Sequence, residues 1–150
     1  MTFLLGVVTG LRSMLGLAAL AWAVRLGWIF LEGTPFRVLG GTVPLVVLTL
    51  AAVPEIVNDK LAWTPARTRL PSVVVRVVLG GAAAAALAAA GGGSLAAGAL
   101  AGALGALAGT FGGYEARKRA VSASGLPDAA VAIVEDAVAI LAAFLIVSHS

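Results

Sequence analysis

Five ionisable residues stand inside long apolar runs: Arg12, Glu55, Arg76, Glu135 and Asp136. Asp59, Lys60 and Glu115 lie nearer the ends of such runs. A charge in hydrocarbon costs roughly 2.5–3.5 kcal/mol on insertion scales, so each needs a partner or a watery path. Two arrangements provide one. The charges pair with one another and pin short helices together, or they line a polar cavity for an ion, a proton or a small charged solute. In the second arrangement Glu55 and Glu135 take the cation or proton, with Arg12 or Arg76 as the neighbouring charge. The candidate substrate- or ion-binding residues are therefore Arg12, Glu55, Asp59, Arg76, Glu135 and Asp136. Glu135 and Asp136 are adjacent, about 100° apart on a helix. One is expected to face a cavity while the other pairs with a neighbouring helix.

Other chemistries lack their residues. There is no cysteine, and the single His149 is second from the end. A His/Cys metal cluster and a serine activated by histidine are thus both excluded. Gly91-Gly92-Gly93-Ser94 is not followed by Lys and Ser/Thr, so it is not a phosphate loop. The sequence points away from an enzyme and calls for no metal and no cofactor.

The elements that must position these charges are membrane helices. Of 150 residues, 61% are hydrophobic and only 11% charged, and the mean hydropathy is +1.06. A soluble domain carries about 25% charged residues. A bilayer core of about 30 Å needs roughly 20 apolar residues per helix, which limits this length to five or six spans in a single domain. The net charge of +3 sits in short connections between apolar runs. That is the pattern of topology signals, not of a nucleic-acid surface.

We read five spans, making an all-α polytopic bundle. The first apolar stretch runs from Thr2 to about Leu31 and holds Thr9-Gly10-Leu11-Arg12-Ser13, where a break, kink or strong tilt is expected. Ala21-Trp22-Ala23 mimics a signal-peptide cleavage site, but Arg12 interrupts the apolar run, so the segment reads as a retained span. The others run from about Thr42 to Lys60, Ser72 to Ala90, Leu95 to Tyr114 and Ala129 to Val147. Pro44 and Pro54 predict kinks in the second. The fourth carries Gly98, Gly102, Gly105, Gly109 and Gly113, whose fourfold spacing lets helix backbones approach closely. Part of this surface is expected to stay open and make a homo-oligomer.

Basic residues concentrate in two connections, one with Lys60, Arg67 and Arg69 and one with Arg117, Lys118 and Arg119. The Lys/Arg bias makes these cytoplasmic and places the N-terminus inside. The same residues are candidates for binding lipid headgroups. Spans one and two then run opposite to spans four and five. Thr9-Gly10-x-Arg12 with Glu55 echoes Thr110-x-Gly112-Gly113 and Arg117 with Glu135, as in an inverted repeat with broken helices.

The chain resembles small bacterial membrane proteins grouped as domain of unknown function forty-one twenty-six. The matching residues are Gly10-Leu11-Arg12-Ser13, Glu55-x-x-x-Asp59-Lys60 and Thr64-Pro65-x-Arg67-Thr68. They continue with Gly112-Gly113-Tyr114, Gly125-Leu126-Pro127-Asp128 and Glu135-Asp136-x-x-Ala139-Ile140, so that the resemblance covers essentially the whole chain. Ala62-Trp63 departs from the Leu-Pro expected before Thr64. The resemblance implies a multi-span protein of a bacterial inner membrane and supplies no activity. From the residues, three functions follow. A small transporter or channel needs a hydrated cavity at Glu55, Glu135 or Asp136. A structural or partner-binding protein needs dry, paired charges. A lipid-handling protein needs a lateral opening near the basic connections.

Overall fold

The computed structural model describes residues 1–58 and 68–150, with the backbone alone over 56–58. Among the described residues six α-helices follow one another: α1 (Thr2–Leu11), α2 (Leu15–Arg25), α3 (Thr42–Asn58), α4 (Leu70–Ala90), α5 (Leu95–Ser124) and α6 (Asp128–Ser148). A short 3-10 turn over Arg37–Gly40 precedes α3. There are no strands among the described residues. Helices α4, α5 and α6 are long and apolar enough to cross a membrane, and the chain is an all-α membrane protein.

Local chemistry sets the ends. Ser94 caps α5, its Oγ accepting from the Ala97 N–H at 3.3 Å. Gly125, at φ 65°, ends the same helix in the left-handed conformation. Between these caps α5 has 30 residues and runs ten past Tyr114, because Glu115-Ala116-Arg117-Lys118-Arg119-Ala120 are good helix formers. The basic segment, readable as a loop or a helix end, is thus the end of a helix. Helix α3 continues through Pro54, and Pro44 lies in its first turn, where the missing N–H has no helical partner to lose.

The first apolar stretch departs most from the reading of the sequence. It is a hairpin, not one kinked span. Gly16 lies against the side chain of Thr9. In a continuous helix those residues would be two turns, about 10.5 Å, apart. The chain reverses at Arg12, whose φ −139° and ψ 110° are extended, and Leu15 N–H donates to the Arg12 carbonyl at 3.1 Å. Helix α1, about 15 Å long, then lies parallel to α5, with Phe3 beside Gly105 and Val7 beside Gly109. A Cβ on either glycine would overlap the backbone of α1. Helix α4 lies antiparallel on the neighbouring side of α5, with Gly80 and Ala84 at Gly102 and Ala88 at Gly98. Four track glycines are therefore buried within one chain, and the fifth, Gly113, is half-buried.

Helix α2 runs parallel to α6, with Arg12 at Asp136 near one end and the Trp28 ring edge-on to Phe144 near the other, centroids 6.3 Å apart. Helix α3 returns antiparallel to α2, with Thr49 at Trp22 and Glu55 at Ser13. The pairs α2–α3 and α5–α6 thus run in opposite senses, yet they are packed unequally. Helix α5 is embedded against α1 and α4 backbone to backbone, and no glycine track joins α2 to its neighbours. Leu5, Val8 and Leu20 of the hairpin pack with Leu31, Ala86, Ala139 and Val147 in the apolar core.

Candidate functional site

The reversal at residues 12–14 leaves open helix ends inside the bundle. Its position is set by Arg76, six residues into α4, and Asp136, eight into α6, about 9 and 12 Å from the starts of those helices. The end of α1 exposes carbonyls and the start of α2 exposes N–H groups, and each is satisfied by an opposite charge. Arg76 Nη1 donates to the carbonyls of Gly10 at 2.7 Å and Leu11 at 2.9 Å. Thr110 Oγ1, from α5, shares its proton between the Ala106 carbonyl of its own helix at 2.7 Å and the Gly10 carbonyl at 3.2 Å. Glu55 covers the start of α2. Its Oε1 accepts from Ser13 N–H and Ser13 Oγ, both at 2.7 Å, and its Oε2 from Met14 N–H at 3.0 Å. Arg76 Nη2 reaches Glu55 Oε1 at 3.3 Å, joining the two caps.

Arg12 leaves the tip in another direction. Its Nε and Nη2 both lie 2.5 Å from Asp136 Oδ1, with side chains 2% and 7% exposed. Burial of this kind excludes water and makes the pair costly to break from one side. The tip thus gathers side chains from α3, α4, α5 and α6 around three residues of non-helical backbone. The sequence singled out Arg12, Glu55, Arg76 and Asp136, and the fold brings all four together. Ser13, Met14 and Thr110 complete the arrangement. The backbone groups of Ser13 and Met14 were invisible to a reading by side-chain type.

Glu135 faces elsewhere. An open groove of about 270 Å³ lies between α5 and α6, with Gly113, Ala116 and Ala120 on one side and Val131 and Val134 on the other. Leu11 closes its inner end, and Arg117 and Glu135 stand in its wall. Arg117 Nη1 is 3.7 Å from Glu135 Oε2, with side chains 12% and 13% exposed. Its Nε and Nη2 grip the exposed Asp128 at 2.8 and 2.5 Å in a two-pronged pair. Sequence reasoning read Asp128 only as a helix start.

The remaining basic candidates are surface residues. Arg119 pairs with Glu115 one turn before it at 2.9 Å, a contact that water screens. Lys118 is exposed on α5 and Arg69 is exposed at the N-cap of α4. Asp59, Lys60 and Arg67 lie outside the described residues. Among the described residues, no group of three or more His, Cys, Asp or Glu could hold a metal ion.

Neither the curated proteins nor the solved structures give a match to this chain. A family model does, over residues 1–150. The matched region takes in the hairpin, the glycine track and both acidic positions of α6, and on that match the chain belongs to the family described as a domain of unknown function, DUF4126.

Proposed function

We propose that the protein is a small membrane transporter or channel for an ion or small charged solute, and that the hairpin tip is its site. The supporting observation is non-helical backbone at residues 12–14, deep in a helical membrane bundle and ringed by Arg12, Glu55, Arg76 and Asp136. Non-helical backbone at membrane depth is tolerated only where protein encloses it or where it lines a cavity. Open helix ends meeting charged groups are how discontinuous helices build solute and ion sites. The contacts among these four residues are then exchanged for the solute.

In this reading the end bearing Arg69, Arg117, Lys118 and Arg119 faces the cytoplasm of a bacterial inner membrane. Helix α1 then starts on the far side of the tip and points towards the cytoplasm, the reverse of the orientation expected for an unbroken first span. A homo-oligomer would assemble through lipid-facing surfaces such as the exposed Val43, Val47 and Leu50 of α3, not through the glycine track.

A second reading is favoured by one specific observation, the near-complete burial of the Arg12–Asp136 pair. Dry, paired charges suit a structural or partner-binding membrane protein. Flux in proteoliposomes decides between them, with an ion and solute panel under an imposed pH gradient. Wild-type flux that is lost in folded Glu55→Gln protein and kept in Glu135→Gln, whose carboxylate lies away from the tip, supports transport. Absence of wild-type flux across the panel, with variants that only lose thermal stability, overturns it.

A further inference from the structure

The open groove between α5 and α6 takes no part in closing the hairpin tip, yet it is a formed feature. Its walls are almost wholly apolar and come from small residues on α5 and valines on α6. Its depth matters. Gly113 lies 18 residues from the start of α5, about 27 Å, and Ala120 about 38 Å. With the hydrocarbon starting at the first residue of α5, a core of about 30 Å would end between these two residues, within the groove. Val134, in its wall, is 62% exposed. Water gains nothing from such walls, whereas a hydrocarbon chain fills them.

At one end of the same groove stands Arg117, and the next two residues of α5, Lys118 and Arg119, are exposed on the helix surface beside it. The guanidinium fork of Arg117 holds the carboxylate of Asp128, which is 63% exposed. An exposed carboxylate gripped through two nitrogens occupies the geometry that a phosphate would take. Asp128 is on the first turn of α6, free of tertiary burial, so it can yield that position without disturbing the bundle. Glu135 stays behind Arg117 and fixes its other side.

We propose that this groove binds an anionic phospholipid, with one acyl chain between α5 and α6 and the phosphate on Arg117 in place of Asp128. Lys118 and Arg119 add electrostatic attraction to an anionic leaflet at the surface. This inference does not depend on the transport reading. A lipid seated there touches Leu11, the last residue of α1, and so the hairpin tip would register its presence.

The test is native mass spectrometry of the full chain in detergent, titrated with phosphatidylglycerol or with phosphatidylcholine of the same chain length. Inorganic phosphate is the third arm. Retention of one phosphatidylglycerol at concentrations several-fold below those needed for phosphatidylcholine is expected. Asp128→Asn removes the competing carboxylate and should tighten phosphatidylglycerol binding several-fold. Ala120→Trp fills the groove from an exposed position and should weaken it about tenfold, while thermal unfolding stays cooperative. Equal retention of the two lipids overturns the proposal. So does unchanged or weaker binding in Asp128→Asn, unchanged binding in Ala120→Trp, or loss of the phosphatidylglycerol preference when phosphate alone is added. All of these are read without any flux, so failure here and failure of transport are separate results.

Discussion

The chain carries two arginine–carboxylate clusters that differ in almost every physical respect. At the hairpin tip, Arg12 meets Asp136 in near-total burial and each cap on the helix ends comes from a distant part of the chain. At the basic rim, Arg117 holds the exposed Asp128 only 11 residues away, and Arg119 holds Glu115 within one helix. The same functional groups thus serve opposite ends. Buried and distant, they are costly to break from one side. At the rim the carboxylates of Asp128 and Glu115 are exposed and local, and pairs of that kind contribute little to stability.

The contrast is sharpest for single removals. Asp136→Leu leaves Arg12 charged in a dry site and should cost about 3–5 kcal/mol, read as loss of folded protein in mixed-micelle unfolding titrations. Arg12→Leu should cost as much, whereas the double variant Arg12→Leu/Asp136→Leu should recover most of it. If the two losses simply add, the pair is not the buried unit described. Next in size is Gly109→Leu, which drives a side chain into the backbone of α1 at Val7 and should cost about 3 kcal/mol. Gly112→Ala, three residues on, meets nothing within 4 Å and should stabilise α5 by up to about 1 kcal/mol. Glu55→Gln keeps the shape of the α2 cap but removes its charge, at about 1–2 kcal/mol by the same titration. The smallest effects belong to the rim. Glu115→Gln and Asp128→Asn should each change stability by less than about 1 kcal/mol. A rim variant as damaging as Asp136→Leu would erase the distinction between the clusters.

Much of this was legible in the residues. Apolar runs of about 20 residues located α4, α5 and α6, and the cost of burying charge marked Arg12, Glu55, Arg76 and Asp136 before any contact was known. Adjacent residues on one helix must diverge, and Asp136 and Glu135 do, one to Arg12 and one to Arg117. The hairpin was not legible, because hydropathy counts apolar residues without recording direction. Gly10 and Arg12 signal a break, but a kink and a reversal look alike in composition. Only the slot along α5 that receives α1 decides between them, and that slot is built about 100 residues later. The glycine spacing revealed close packing in the same partial way. It showed that backbones would touch, not that both partners lie in one chain.

That slot also bears on how the chain is made. Gly10 finds Thr110 across 100 positions of sequence, and neither α1 nor α2 is long enough to cross a bilayer alone. A ribosome would therefore finish the hairpin well before synthesising the helix that holds it. Until α5 is inserted, the early segment has to wait at the membrane surface or inside the insertion machinery, with its reversal unsupported. Nascent chains stopped before residue 110 should show residues 2–11 open to protease or to water-soluble labels. Longer ones should shield them, and the order of assembly would then run from the end of the protein back to its beginning.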